Sequence, residues 1–314
     1  MKSIIRKLAF KLGIRKLFLP IQEFDSKREA IKHKKRYDPL NTHYGLNKDK
    51  RDFEITVSFT TFPARITNAV YVADAMLRQT LKPDRVIMVL ASDEVQSKDD
   101  LPEEYINLQK RGLSIVFAEN LRPHNKYQHA MKNYPDSIVI TVDDDVFYPN
   151  DLVETLFSSY SKYPEAVSVI RAHRILFKDK KILPYNEWGF ESIYTDKPVF
   201  DLLATGVGGA LYPPMCMAVK RDILFDADVI RRISLNADDI WLKIIELLCD
   251  VPVVLAKQKP PSISYIPDTQ NTSLHSSNVD SKKNDVILHD TISYFGINED
   301  ELYNKMKNQE DTVR

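Results

Sequence analysis

Three consecutive carboxylates, Asp143, Asp144 and Asp145, directly follow the apolar run 138–142. A run rich in Val and Ile is typical of a buried strand, and open α/β sheets bind ligands at the C-terminal ends of such strands. Adjacent like charges repel one another unless a cation neutralises them. Carboxylate oxygens suit Mg²⁺ or Mn²⁺, usually shared with nucleotide phosphates. This aspartate triplet (Asp143–Asp145) therefore predicts a metal site that holds a diphosphate; the alternative is an acidic turn that caps the next helix.

The segments around the aspartate triplet alternate between strand-like and helical patterns. Strands are predicted at 55–60, 85–90, 113–118, 137–142, 166–171 and 251–255, and helices at 68–79, 102–111, 126–134, 152–162, 238–249, 282–293 and 298–307. This alternation predicts an α/β fold with a doubly wound, mostly parallel sheet. Residues 172–215 show no regular pattern, and an irregular stretch of that length is typically a functional loop region.

Charge is distributed unevenly along a chain whose formal net charge is zero. Residues 1–51 contain 15 Lys and Arg against 5 Asp and Glu, whereas the remaining 263 contain 29 against 39. A basic arm on an acidic body indicates an anionic partner. We expect either peripheral membrane contact through residues 1–19 or packing of that segment on the body. No nucleic-acid partner is expected, because no aromatic-studded platform accompanies the basic residues.

Cysteine usage and hydropathy indicate the compartment. Cys216 and Cys249 form neither a disulfide framework nor a zinc-site spacing, which favours a reducing cytosol. No run approaches about 18 apolar residues, so no transmembrane helix is expected. Charges interrupt every apolar stretch of the first 19 residues, unlike a signal peptide. We therefore expect a cytoplasmic protein, placed at the inner face of the cytoplasmic membrane if the basic arm binds lipid.

Four ordered segments carry a resemblance to a known family. The string ITVDDDVFYP is preceded by NKYQHAMKNYPDS and followed by GVGGALYPP and NADDIWL. This set resembles bacterial glycosyltransferases of the GT-A fold, of the family-two-like type that assembles surface polysaccharides. The resemblance covers residues 53–270. It implies a GT-A catalytic domain at 53–270. The basic arm and linker at 1–52 and the C-terminal helical extension at 271–314 lie outside the resemblance and are predicted from charge and residue pattern.

The resemblance implies a reaction and a metal site. Such enzymes transfer a sugar from a nucleotide sugar, commonly a UDP-sugar, to a hydroxyl of a glycan or lipid-linked glycan, with Mn²⁺ or Mg²⁺ bridging the diphosphate. Carried over, Asp143 and Asp145 form the D-x-D pair. Asp145 is the expected direct metal ligand and Asp143 lies near the donor ribose or sugar, while Asp144 is open to either part. His275 is the candidate for a further metal ligand, ahead of His289.

Other positions are expected on the donor side of the site. Thr60, Thr61 and Arg65 follow the first strand, where the family contacts the nucleoside; the alternative is a turn with capping threonines and a surface arginine. Lys126 begins a helix and is expected near the donor phosphates, unless it is a solvated lysine. Glycines 208 and 209 offer backbone amides to the donor sugar or the acceptor, or form a tight bend. The residues expected to bind donor and metal cofactor are thus Thr60, Thr61, Arg65, Lys126, Asp143, Asp144, Gly208 and Gly209.

On the acceptor side, Asp238 and Asp239 open a helix, where acidic residues are also favoured as caps. In the family one carboxylate at this position is the base of an inverting transfer, and Asp239 is favoured over Asp238. Trp241 either stacks on a sugar or fills the core. The irregular region holds further polar and aromatic residues that no motif assigns: Arg171, His173, Arg174, Trp188 and Glu191.

Two other classes compete with this interpretation. A sugar nucleotidyltransferase shares the fold and the metal aspartates, but the glycine-rich basic loop that it carries after the first strand is replaced here by TTFPARI. A non-catalytic nucleotide- or glycan-binding protein of the same fold would keep the site without the reaction. Pyrophosphate, a nucleoside diphosphate, or no product at all would separate the three.

Overall fold

A computed structural model describes residues 28, 31, 32, 35, 37, 44–192, 195, 197–257, 263–269 and 283–307. The basic segment 1–19 and His275 lie outside this part of the chain. Its strands are β1 (Ile55–Thr60), β2 (Arg85–Ala91), β3 (Leu113–Ala118), β4 (Ile138–Thr141), β5 (Val167–Val169), β6 (Ala172–Arg174), β7 (Phe177–Lys178), β8 (Lys181–Ile182), β9 (Leu202–Ala204), β10 (Ala210–Tyr212) and β11 (Val253–Leu255). Its helices, apart from short 3₁₀ turns and residues before Tyr44, are α1 (Ile66–Leu77), α2 (Glu104–Lys110), α3 (Asn125–Asn133), α4 (Leu152–Lys162), α5 (Arg221–Leu224), α6 (Ala227–Ile233), α7 (Asp238–Leu248), α8 (Lys283–Tyr294) and α9 (Glu299–Lys307).

Seven strands form the central sheet in the order β11-β5-β10-β4-β1-β2-β3. All neighbouring pairs are parallel except those of β10, which runs antiparallel to both β4 and β5. The chain moves outward from β1 through β2 to β3 and then returns to the other side of β1 as β4. This reversal confirms the predicted doubly wound, mostly parallel α/β fold.

The sheet is covered on both faces, as its strand sequences require. Ile138 and Ile140 belong to one buried cluster with α1, whereas Val139 belongs to a second cluster with α3 and α7. Successive side chains of a strand point to opposite faces, so a strand that is apolar at every position must be buried on both. Trp241 is fully buried in the second cluster, which places it in the core rather than on a ligand.

The C-terminal helices share the core of the sheet domain. A third cluster joins Ile240 and Ile244 of α7 to Leu288 of α8 and Leu302 of α9. These helices were predicted at 282–293 and 298–307, one residue from their observed starts. Among the described residues, no helix combines the length and apolar character needed to cross a membrane.

The irregular region differs most from the sequence prediction. Residues 172–215 contain the short strands β6 to β10, and β10 completes the central sheet between β4 and β5. Strands of two or three residues are too short to show a period. Their positions are set by backbone pairing with distant strands, which local sequence does not reveal.

Candidate functional site

The crevice at the strand-order reversal gathers most of the predicted residues. β1 and β4 are parallel neighbours, and Val142 N–H continues the ladder by donating to the Ser58 carbonyl at 3.2 Å. Thr61 therefore follows β1 at the same edge where the aspartate triplet follows β4. Ligands of open α/β sheets bind outside the carboxyl ends of strands at such a reversal.

Asp144, the middle residue of the triplet, is buried and fully engaged. One carboxylate oxygen accepts a hydrogen bond from Arg65 Nη1 at 2.8 Å, and the other accepts one from Thr61 Oγ1 at 2.7 Å. Burial raises the pKa of Asp144, and both partners act against that rise. Because both oxygens are occupied, Asp144 fastens the end of β4 to the end of β1.

Arg65 also contacts Asp145 and the segment 263–269. Its Nη1 lies 3.1 Å from an oxygen of Asp145, and its Nη2 donates to the Thr269 carbonyl at 2.9 Å. Burial alone would lower the pKa of Arg65, but Asp144 and Asp145 outweigh it and raise that pKa. The segment 263–269 also pairs with the chain just after the triplet, where Ile266 N–H donates to the Asp145 carbonyl at 2.7 Å. Arg65 thus faces the triplet and not the surface.

Lys126 joins the triplet to α7. It lies in the first turn of α3, and its ammonium stands 2.8 Å from Asp143 Oδ1 and 2.9 Å from Asp238 Oδ2. The side chain is only 7% exposed, so Lys126 is a buried charge and not a solvated lysine. Burial would lower the pKa of Lys126, but Asp143 and Asp238 outweigh it and hold that pKa well above its ordinary range.

Asp239 lies beside this ion pair, held by a backbone amide. Its two carboxylate oxygens accept from Gly206 N–H at 3.2 and 3.4 Å. Burial raises the pKa of the Asp239 carboxyl well above its ordinary range, and Asp238 raises it further, while Lys126 opposes them. Asp238 and Asp239 form the acidic pair of α7. The acidic pair therefore contains one carboxylate paired with a lysine and one whose pKa is raised by burial.

Gly206 begins the glycine-dense segment 206–210, in which the sequence analysis favoured Gly208 and Gly209 as site residues. A Cβ atom added there would lie 2.6 Å from Lys126 Nζ and 3.1 Å from Asp143 Oδ1, closer than real side chains approach. Gly208 instead packs against Arg171, and Gly209 adopts a φ of +89° beside Leu152. The density of glycines at 206–210 was the signal for this segment, and it gives no hint of the neighbours of Gly206.

The hydroxyl groups of Thr60 and Tyr148 have different hydrogen-bond partners. Thr60 Oγ1 donates to the Val89 carbonyl at 2.8 Å, so its hydroxyl serves the sheet. The hydroxyl of Tyr148, which was not singled out, accepts from Asp143 N–H at 2.9 Å and donates to the Val207 carbonyl at 3.1 Å. Tyr148 therefore fixes the triplet relative to the glycine segment. His289 is 78% exposed on α8.

The donor atoms around the triplet suit a hard divalent cation. Within the described ranges, no three or more Asp, Glu, His or Cys side chains meet so that they could hold a metal by themselves. Mg²⁺ and Mn²⁺, however, are often bound by one or two carboxylates, with the other ligands supplied by phosphates and water. Asp143, whose side chain is 28% exposed, and Asp145 fit that pattern.

Comparison with known proteins gives the fold. Neither a scan against protein-family models nor a search of curated proteins finds a match. The structure is similar to a mannosyltransferase from Pyrobaculum calidifontis in complex with GDP-Man and Mn²⁺, with a TM-score of 0.51 and 13% identity over 92% of this chain and 77% of that one. A weaker similarity, with a TM-score of 0.38 and 12% identity over 65% of this chain and 89% of that one, links it to CMP:2-keto-3-deoxy-manno-octonic acid synthetase complexed with CTP. The first similarity confirms a fold of the GT-A, nucleotide-sugar-transferase type.

Gly206→Ala should damage the site through a steric clash and not through backbone strain, because the added methyl group displaces the Lys126 ammonium from Asp143. We expect the free energy of unfolding, measured by urea denaturation, to fall by about 1.5–3 kcal/mol, the usual contribution of a hydrogen bond to a charged group. Gly296→Ala is the control, because its Cβ would meet no atom within 4 Å, so that any loss there comes from its φ of +61° alone. Equal stabilities of Gly206→Ala and wild type would contradict the packing described for Lys126.

Asp239→Asn should stabilise the protein at alkaline pH. A carboxyl whose pKa is raised by folding binds its proton more tightly in the folded state, so the free energy of unfolding falls as the pH rises through the raised pKa. The side-chain amide of the variant does not titrate, so its free energy of unfolding does not fall with pH for this reason. We expect Asp239→Asn to melt above wild type at pH 8, with the difference shrinking toward pH 4. Asp136→Asn, at an exposed turn, should show no such pH-dependent difference. A variant that is less stable than wild type at pH 8 would exclude the raised pKa.

Proposed function

We propose that this chain is a metal-dependent glycosyltransferase that moves a sugar from a nucleotide sugar, with a UDP-sugar as the expected donor, to a hydroxyl of a glycan or lipid-linked glycan, with inversion. The observation that carries the proposal is Lys126, which stands between Asp143 and Asp238. Lys126 thereby links the aspartate triplet, which suits a cation and phosphates, to the acidic pair of α7, in which the pKa of Asp239 is raised. The fold shared with a mannosyltransferase supports this assignment.

On the donor side, Asp145 and Asp143 would hold Mn²⁺ or Mg²⁺ together with the diphosphate. A cation bound there supplies positive charge that stabilises the departing nucleoside diphosphate. Arg65 remains on Asp144 and keeps the triplet in place. Lys126 offers a second positive charge to the phosphates, at the first turn of a helix where the backbone also favours anions.

On the acceptor side, Asp239 is the proposed base. It takes the proton of the acceptor hydroxyl while that oxygen forms a bond to the anomeric carbon of the donor sugar. The bond from this carbon to the diphosphate breaks, and its electron pair leaves with the nucleoside diphosphate. The attacking oxygen enters opposite the leaving group, which inverts the anomeric centre. A raised pKa makes the carboxylate a stronger base at neutral pH, and Gly206 N–H fixes its orientation.

The cellular setting is part of the same proposal. An enzyme that builds surface polysaccharide on a lipid-linked acceptor would act at the inner face of the cytoplasmic membrane, and the basic segment 1–19 would attract anionic lipid there. Those residues lie outside the described part of the chain, so liposome binding by the chain with and without them is the relevant assay.

The first test is calorimetric titration of UDP with and without Mn²⁺. We expect metal-dependent binding in wild type and its loss in Asp145→Ala, because the variant removes the direct metal ligand. Asp151→Ala is the matched control: this aspartate follows the triplet closely, but it is half exposed and pairs with Lys257 at 3.3 Å. GDP, CMP and dTDP are titrated in parallel. Failure of all four nucleotides to bind, or metal-dependent binding that survives in Asp145→Ala, would remove the proposed site.

The second test separates the two members of the acidic pair. Asp239→Asn should bind the nucleotide and metal like wild type but lose turnover by about 10²- to 10⁴-fold, the contribution of a positioned general base. Asp238→Asn should instead weaken nucleotide binding, since Asp238 holds Lys126. Turnover is followed as nucleoside diphosphate released; pyrophosphate would indicate a nucleotidyltransferase, and binding without product a non-catalytic protein. Unchanged turnover in Asp239→Asn would exclude it as the base.

A further inference from the structure

A third cation, Arg171, stands at the same sheet edge on the side of Asp239. β4 and β5 both pair antiparallel with β10, so they run in one direction and end at one edge. Arg171 comes two residues after β5, as the aspartate triplet follows β4. Its Nη1 lies 3.4 Å from the hydroxyl of Thr205, the residue next to the Gly206 amide that binds Asp239. The guanidinium is therefore a neighbour of the proposed base.

The charge of Arg171 is compensated far less than the charges of Arg65 and Lys126. Each of those two has carboxylate oxygens of two aspartates within 3.1 Å. Arg171 has one carboxylate, that of Glu191, at 3.5 Å, and its Nε is buried with no hydrogen-bond partner among the described residues. Its side chain is only 14% exposed. A buried donor without a partner is costly, and a bound ligand would remove that cost.

Two tyrosines are affected both by the charge of Arg171 and by a carboxylate of the site. Burial raises the pKa of the Tyr185 hydroxyl, Asp239 raises it further, and Arg171 lowers it. Burial also raises the pKa of Tyr265, where Arg171 acts against Asp145. Each ring therefore feels the field of Arg171 and that of a site carboxylate. Aromatic rings and a guanidinium are the groups that bind a sugar carrying a negative charge.

The carboxylate of Glu191 occupies the position beside the guanidinium that an anionic ligand would take. Its carboxylate is the anionic group nearest to the guanidinium, yet the side chain is 48% exposed and the contact is long. A phosphate or carboxylate on a substrate would make shorter, charge-assisted hydrogen bonds with the same guanidinium. Displacing Glu191 would cost little, because solvent can hydrate its carboxylate once the contact is broken.

We propose that Arg171 recognises an anionic group, a carboxylate or a phosphate, carried by the acceptor close to the hydroxyl that Asp239 deprotonates. The acceptor is then an acidic glycan or a glycosyl phosphate, and Arg171 is its specificity-determining residue. This inference rests on the proposed function, and it adds the chemical class of the acceptor. In the proposed function the donor diphosphate is bound by other residues, the triplet and Lys126.

The test is binding of small glycosides to protein saturated with UDP and Mn²⁺, so that the diphosphate site is filled. Methyl glucuronide carries the carboxylate, glucose 6-phosphate carries the phosphate, and methyl glucoside is the neutral reference. We expect an anionic glycoside to bind about tenfold more tightly than the neutral one at low salt. Arg171→Gln should abolish this preference and leave the UDP affinity unchanged, whereas Arg171→Lys should retain part of it.

Two further variants guard against a loss caused by misfolding. Glu191→Gln removes the competing carboxylate and should tighten the binding of the anionic glycoside, a gain that an unfolded protein cannot produce. Arg85→Gln is the control: Arg85 begins β2, at the opposite edge of the sheet, and pairs with the exposed Glu54. Its preference should equal that of wild type.

The outcomes separate the inference from the function beneath it. Equal binding of neutral and anionic glycosides, or a preference that survives Arg171→Gln, overturns the inference while UDP binding still stands. A fall in UDP affinity in Arg171→Gln overturns it as well, because it places the guanidinium on the donor diphosphate. Loss of UDP and Mn²⁺ binding in wild type removes the proposed function, and the inference with it.

Discussion

Repulsion among five carboxylates at one sheet edge is the constraint on which the site is built. The aspartate triplet and the acidic pair of α7 meet there, and among the described residues the cations paired with them are Arg65 and Lys126. These two positive charges do not balance five carboxylates. Burial raises the pKa of Asp239, and the neighbouring Asp238 raises it further. A cation beside Asp143 and Asp145 would relieve part of this repulsion.

The two cations also determine which segments of the chain come together. Arg65 connects the end of β1 to the triplet and to the carbonyl of Thr269, more than two hundred residues along the chain. Lys126 connects α3 to the triplet and to the first residue of α7. Buried ion pairs are weak sources of net stability, but removing one partner leaves a buried charge and is severely destabilising. The arrangement of these segments therefore requires both ion pairs. It brings a carboxylate of α7 close to the C-terminal ends of the strands.

The sequence was sufficient for the parts of this arrangement that depend on local pattern. The apolar run before Asp143 predicted β4, and the acidic triplet predicted a ligand edge, because both features are continuous in sequence. The parts that depend on tertiary pairing were not accessible. β10 has three residues and is defined by its neighbours, and Thr60 and Thr61 are adjacent identical residues whose hydroxyls serve the sheet and the site respectively. Gly206 is recognisable only once Lys126 and Asp143 are placed around it.

The contacts of Arg65 reconcile a tightly paired triplet with the binding of a metal. Asp144 engages both of its oxygens, with Thr61 and Arg65, so the connection between β1 and β4 does not depend on Asp145. Asp145 shares the guanidinium only at 3.1 Å, and the same nitrogen stays 2.8 Å from Asp144. A cation at Asp145 can therefore replace that secondary contact while Arg65 keeps its place. The middle aspartate preserves the architecture, and the outer two are the proposed metal ligands.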